Sequence, residues 1–265
     1  MRLLTWNVQH AAPTRARRQA AWLAGCDDAD VLVLTEVRDA PGGQALIQAL
    51  GEYGYQVIVP DSSGGEYLVV VAARVGGLEA LPVRLGHLPA RFVAARVTLG
   101  AHTVGVVGLY VPSRGPQERR NEDKRAFQQA VSAQLPRLAT DLGRGPIVVA
   151  GDLNVVEPEH QPHYAVFGEW EYRFYTDFAA HHVVDAFRAL HPAAGEGFFS
   201  PAARFHGWDE AYLAVERGQC HTLLGDGRSA LAELKDAAAS KTTVMLPTFL
   251  LVHSGSAWRL AHEPE

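Results

Sequence analysis

The sequence predicts a mixed α/β fold: two mixed β-sheets packed face to face as a sandwich with helices outside, a four-layer α/β/β/α arrangement. Three observations carry this expectation. Runs such as Val31-Leu32-Val33-Leu34 and Ile147-Val148-Val149-Ala150 have the length of strands and are apolar throughout, as strands covered on both faces must be. Helical stretches separate the strands in pairs and hairpins rather than alternating with each of them. The 265 residues, 48% hydrophobic and 20% charged, have ordinary globular composition and no low-complexity linker, so one domain over 1–265 with a substantial core is expected.

The elements follow in order. Leu3 to Val8 reads as a strand. "PTRARRQAAWLAG" reads as a helix, with Pro13 near its start and Gly25 as its stop. "ADVLVLTEV" is a strand that runs into Glu36, "GGQALIQALGEYG" a helix and "YQVIVP" a strand. "GEYLVVVAAR" is another strand, entered through the turn at Gly64-Gly65. "RFVAARVTLGAHTVGVVGLYVP" alternates and breaks at Leu99-Gly100-Ala101, as a hairpin would. "PQERRNEDKRAFQQAVSAQLPRLATDLG" is a long amphipathic helix with Pro136 late in it, and Pro146 to Ala150 is the next strand. "EWEYRFYTDFAAHHVVDAFRALHP" predicts helix in two pieces. After it, "WDEAYLAV", "GQCHTLL" and "TTVMLPTFLLVHS" are strand candidates, and Ser229 to Ala238 is a candidate helix.

The formal net charge of -5 argues against a protein that merely coats nucleic acid. It leaves room for a nuclease, because a local basic rim can steer a phosphate. Two cysteines, Cys26 and Cys220, are too few for a disulfide framework, and neither lies in a zinc-binding pattern. The start "MRLLTWNVQH" has no charged region followed by a long apolar one, so no signal peptide is expected. No apolar run approaches the ~18 residues of a membrane span. A cytoplasmic monomer with no membrane partner is the resulting expectation.

If strands bury both faces, polar side chains belong at their ends. Asn7 follows Leu3-Leu4-Thr5-Trp6, Glu36 follows Val31 to Thr35, Tyr110 follows Val106 to Leu109, and Asp152 and Asn154 follow Val148-Val149-Ala150. Singly, each has an ordinary reading: Asn and Asp favour turns, Glu36 could pair with Arg38, and Tyr110 could be a core ring with a wet hydroxyl. Converging, they would make a cluster of two carboxylates, two amides and a phenol. Such an oxygen-rich site suits Mg²⁺ or Mn²⁺ rather than zinc.

"TWNVQ", "VLVLTEV", "GLYVPS" and "VVAGDLNV" resemble, in order, four motifs of the endonuclease/exonuclease/phosphatase superfamily, which includes exonuclease III-like and deoxyribonuclease I-like enzymes and inositol-phosphate phosphatases. The likeness spans roughly residues 1 to 155, and "VVDAFRALHP" at 183–192 resembles the stretch that follows in bacterial members. The resemblance implies divalent-metal-dependent hydrolysis of a phosphate ester, with nucleic acid or another phosphoester as substrate. It implies that Glu36 is a metal ligand, that Asn7 helps bind metal or phosphate, and that Asp152 orients and activates the attacking water. Asn154 would hold a phosphoryl oxygen in the transition state and Tyr110 would assist at the phosphate.

The sequence departs from the family in its last third. The family's late Asp has its best match in Asp209 of "HGWDEAYLAV", which also reads as a surface charge at a strand start. The closing Asp-His motif is missing: Ser240-Lys241-Thr242-Thr243 stands in its place, and no Asp-His dipeptide occurs in the chain. His160 and His163, just past the Asp152 loop, are the candidate replacements as catalytic groups or metal ligands. Lys241 could contact a phosphate or be a solvated loop lysine. Arg15, Arg17, Arg18, Arg114, Arg119, Arg120, Lys124 and Arg125 form a candidate phosphate-steering rim. Tyr164, Phe167, Trp170 and Phe174 are spaced by three and four, which favours rings packed into a core over a base-stacking platform. The expected function is a metal-dependent nuclease acting on DNA; the alternative is a diverged member that binds or transforms a small ligand in the same cleft.

Overall fold

The computed structural model describes residues 1–26, 29–114, 118–142, 145–159 and 166–186, with backbone alone at 118–120 and 139, and the backbone of 204–205, 241–243 and 249–253. Two sheets form the centre. The first has the order β1-β2-β4-β3, from β1 (Leu3–Asn7), β2 (Val31–Arg38), β4 (Tyr67–Ala73) and β3 (Gln56–Ile58). The second has the order β5-β6-β7-β8-β12-β9, from β5 (Gly77–Ala80), β6 (Phe92–Leu99), β7 (His102–Tyr110), β8 (Ile147–Asp152), β12 (Phe249–His253) and β9 (Val183–Asp185). A short pair, β10 (Arg204–Phe205) with β11 (Lys241–Thr243), stands apart.

Each sheet contains one parallel pair, β1 with β2 and β7 with β8, and every other pairing is antiparallel. A parallel pair needs a crossover, and a helix supplies it both times. α1 (Pro13–Gly25) links β1 to β2, and α3 (Glu118–Asp141) links β7 to β8. α1 and α2 (Pro41–Glu52) each start on a proline, whose missing N–H is lost to no bond at a helix start.

The apolar strand runs split by alternation into two faces. Val31, Val33, Val69 and Val71 pack against Val93, Ala95, Val106 and Val148 between the sheets. Leu32, Leu34, Leu68 and Val70 turn the other way, toward residues of α1 and α2. Val107, Leu109 and Val149 face Phe127 and Val131 of α3, and Phe174 and Phe178 of α4 (Glu169–Ala180). This is the expected sandwich with helices outside. Gly108 lets the sheets approach, since a Cβ there would lie 2.5 Å from Val69 Cγ1.

One expectation is corrected. The second helical piece after Ala180 begins instead as strand β9. α4 ends where His182 takes a left-handed φ of +62°, and the β-branched Val183 and Val184 then pair with His253 and Val252. The aromatic segment packs inward in part: Phe174 is buried edge to face with Phe178 at 5.2 Å and Phe167 is partly buried against the same core, whereas Trp170 is partly exposed beside Lys124 and Arg125, and Tyr164 lies outside the described residues. "WDEAYLAV", "GQCHTLL", Ser229 to Ala238 and Cys220 also lie outside them. No helix among the described residues is long and apolar enough to cross a membrane.

Candidate active site

The four parallel strands each deliver one polar residue from the carboxyl end: Asn7 from β1, Glu36 from β2, Tyr110 from β7 and Asp152 from β8. The sandwich brings these ends together. Asn7 Nδ2 donates to Asp152 Oδ2 across the two sheets at 3.2 Å. Tyr110 Oη donates to Glu36 Oε1, again across the sheets, at 3.1 Å. Tyr110 and Asp152 are register partners on adjacent strands. Asn7, Tyr110 and Asp152 are all buried, at 3%, 5% and 2% exposure, so these contacts are shielded from bulk water.

The backbone is bent to aim these groups. β2 bulges against β4, because Leu34 pairs with Val70 but Val37 pairs with Leu68, leaving one residue over. Glu36 sits in that bulge with a φ of +53°, a left-handed conformation that costs a non-glycine residue about 1–2 kcal/mol. Asn154 has a φ of +48° and tolerates it better. Its backbone N–H donates to Asp152 Oδ1 at 2.9 Å and its Nδ2 to the Val111 carbonyl at 2.7 Å. Gly151, with a φ of +129°, lies so close to β7 that a Cβ would meet the Leu109 carbonyl oxygen at 2.0 Å. Gly151→Ala is therefore expected to lower stability by about 1–3 kcal/mol and to displace the neighbouring Asp152. Thermal unfolding checks this, and a wild-type midpoint would count against it.

Burial dominates the electrostatics. It pushes the Asp152 carboxyl up to about 7, with the Glu36 charge adding to the rise and the Asn154 N–H and Asn7 amide opposing it. It also raises the Tyr110 phenol, with Glu36 and Asp152 adding to the rise, so Tyr110 is a neutral hydrogen-bond donor and not a phenolate. The Arg91 guanidinium lies over the Tyr110 ring at 4.5 Å and over Tyr67 at 5.3 Å, and burial lowers its pKa.

Lys124 and Glu171 were not legible as a pair. Both are fully buried and bonded to each other, and Lys124 Nζ also donates to the Asn154 carbonyl at 2.7 Å. Arg114 joins Glu171 from the surface at 3.0 Å and bonds the Val166 carbonyl. Lys124 is thus no part of a steering rim. Its signal was spacing, since Lys124, Phe127, Val131, Leu135 and Leu138 form one buried stripe of α3. Arg17, Arg18 and Arg125 do lie at the surface, Arg125 over the Trp170 ring at 4.8 Å.

The site fits a hard divalent cation. The Glu36 charge opposes ionisation of Asp152, a repulsion that a cation between them would relieve. Among the described residues no three His, Cys, Asp or Glu side chains converge as ligands. An ion held by Glu36 would therefore complete its shell with amide oxygens and water, as Mg²⁺ commonly does. Asp209, His160 and His163 lie outside the described residues. Lys241 falls in β11, of which only the backbone is described.

Comparison with known proteins agrees with this fold. The fold resembles an AP endonuclease from Archaeoglobus fulgidus, with 18% identity, a TM-score of 0.59, and cover of 100% of this chain and 96% of that one. It resembles the 3′-5′ exonuclease NExo from Neisseria meningitidis, with 19% identity, a TM-score of 0.59 and cover of 96% and 87%. It resembles the AP endonuclease LMAP from Leishmania major, with 17% identity, a TM-score of 0.60 and cover of 95% and 78%. A search of curated protein sequences gave no match. The model of the Endonuclease/Exonuclease/phosphatase family matches residues 4–213, and with the four strand-end motifs on its convergent sheet ends the chain belongs to that family.

Proposed function

We infer that the chain is a divalent-metal-dependent phosphoesterase, and specifically a nuclease that hydrolyses DNA phosphodiester bonds. The observation that supports this best is the pair of hydrogen bonds between the sheets, Asn7 to Asp152 and Tyr110 to Glu36, at the one place where the parallel strands of both sheets end. The folds it resembles include two AP endonucleases and a 3′-5′ exonuclease, which favours DNA. The surface arginines Arg17 and Arg18 on α1 suit a polyanionic backbone.

In this reading Asp152 is the proton acceptor for the attacking water. The Asn7 amide on Oδ2 and the Asn154 N–H on Oδ1 hold its carboxylate in one orientation. Tyr110, kept neutral, gives its one proton to Glu36 Oε1 and so fixes that carboxylate beside the phosphate site. Asn154 is clamped through one amide proton to Val111, which leaves the direction of the other set for a phosphoryl oxygen. A Mg²⁺ or Mn²⁺ held by Glu36, with Asn7 alongside, would supply charge neutralisation at the phosphoryl oxygen and a lowered pKa for bound water.

The test is cleavage of labelled intact, nicked and abasic DNA duplexes, alongside RNA, inositol phosphates and p-nitrophenyl phosphate, with Mg²⁺, Mn²⁺ or EDTA. DNA cleavage abolished by EDTA is expected, with Glu36→Gln lowering kcat/KM by about 100-fold, or about 3 kcal/mol. No turnover of any of these substrates would overturn the proposal. The absent Asp-His motif favours the second reading, a member that binds a small phosphate-bearing ligand without hydrolysing it. Its outcome is tight binding with no phosphate release.

A further inference from the structure

We propose that His10 is an additional ligand to the divalent ion at Glu36, giving the site a nitrogen donor that makes it favour Mn²⁺ over Mg²⁺. This rests on reading the site as a metal centre.

The chain leaves β1 at Asn7 and turns at once, with left-handed φ values of +52° at Gln9 and +39° at His10. Neither residue is a glycine, so surrounding bonds must hold the turn. The Val8 N–H donates to the Thr35 carbonyl and the His10 N–H to the Glu36 carbonyl, both at 3.0 Å. The Gln9 N–H donates to Asn7 Oδ1 at 3.0 Å, and Arg15 donates to the Gln9 carbonyl at 2.6 Å. The backbone of His10 is thereby tied to the residue whose carboxylate it faces.

The side chain completes the case. Glu36 Oε1 is occupied by the Tyr110 hydroxyl, and His10 Nδ1 lies 3.4 Å from the other oxygen, Oε2. The ring is braced edge-on by Tyr67 at 5.9 Å, and Tyr67 is braced by Tyr110 at 5.8 Å. A separation of 3.4 Å is long for a good N–H···O hydrogen bond, whose usual upper limit is about 3.2 Å. Two atoms bound at right angles to one ion through bonds of about 2.1 Å stand about 3 Å apart, so a small closing movement would let one ion bind both. Mg²⁺ is held almost wholly through oxygen, whereas Mn²⁺, a first-row transition ion, also accepts imidazole, though less strongly than the later ions do. The competing account is a plain His10–Glu36 ion pair at the surface, which a metal would have to displace.

The two accounts predict opposite effects. Mn²⁺ binding to the full chain would be followed by calorimetry, and the bound ion's environment by pulsed EPR. If His10 is a ligand, the Mn²⁺ spectrum carries a ¹⁴N coupling that His10→Ala removes, and the Mn²⁺ Kd rises by about tenfold or more while the Mg²⁺ Kd moves far less. His10→Gly, which also relieves the left-handed backbone, should behave the same and so separates the ring from the fold. A ¹⁴N coupling that persists in both variants, unchanged Mn²⁺ affinity, or tighter binding without the ring would each overturn the proposal. Glu36→Gln separates the two levels. Mn²⁺ binding that needs Glu36 but shows no His10 coupling defeats only this inference, whereas Mn²⁺ binding indifferent to Glu36, or absent in the wild type, defeats the metal-centre reading as well.

Discussion

Asp152→Asn is expected to lower kcat by about 10³–10⁴-fold while leaving the fold at least as stable as the wild type at pH 8. The loss follows from chemistry: an amide cannot accept a proton. Its one oxygen can keep the Asn154 N–H, while the Asn7 amide must turn its own oxygen to the new NH2 and give up the Gln9 N–H. The stability follows from burial. In the metal-free protein the Asp152 carboxyl is pushed up to about 7, whereas in an unfolded chain an Asp titrates near 3.9. Between those values the folded state holds a proton that the unfolded state has released. Stability therefore falls as pH rises from about 4 to about 7 and changes little from this group outside that window. The Asn variant lacks this slope, because it has no buried carboxylate to ionise. Urea unfolding in EDTA at pH 5 and pH 8, beside steady-state kinetics with metal, measures both effects. A variant that keeps a tenth of wild-type kcat, or that unfolds more easily than wild type at pH 8, would contradict the role given to Asp152.

Lys124→Met is expected to cost about 3–5 kcal/mol, because it leaves the fully buried Glu171 carboxylate with one charged partner, the partly exposed Arg114, beside the Gly168 N–H. Burial pushes the Lys124 ammonium down and Glu171 holds it up, so the wild-type pair exists only as a pair. The double variant Lys124→Met, Glu171→Leu replaces both charges with apolar groups of similar size and should recover most of the loss. Recovery falls short by the bond from the Gly168 N–H to Glu171, which also disappears. Activity should not recover with stability, because the Asn154 carbonyl still lacks the Lys124 donor that fixes the loop after Asp152. Urea midpoints at constant m-value measure the stabilities. If Lys124→Met unfolds within about 0.5 kcal/mol of wild type, the network does not hold the loop.

The strands were legible because β2, β4, β7 and β8 each carry a short, largely apolar run bounded by turn or polar residues, the pattern of a strand covered on both faces. The first residues to break each run, Asn7, Glu36, Tyr110 and Asp152, were legible as site candidates for the same reason. β9 was misread as helix because three residues have no period to read. Its partner β12 lies far along the chain and imposes the strand from outside. Lys124 was misread as a surface charge because residue type outweighed the α3 stripe that buries it. His10 went unnoticed because nothing in "NVQH" shows that its turn folds back onto the bulge at Glu36.

The sequence by itself determined most of the strands and helices from β1 to α4, and which polar residues end the strands, because hydrophobic period and turn chemistry act within a few neighbouring residues. Only the tertiary structure decided that Asn7 meets Asp152 and that Tyr110 meets Glu36. Those pairs form between different sheets, and their meeting depends on how two twisted sheets pack through Val31, Val33, Val69, Val106 and Val148. The same packing decided which charges lost their water. That loss sets the raised Asp152 carboxyl and the buried Lys124–Glu171 pair, since the cost of a charge depends on the medium around it and not on its neighbours in the chain.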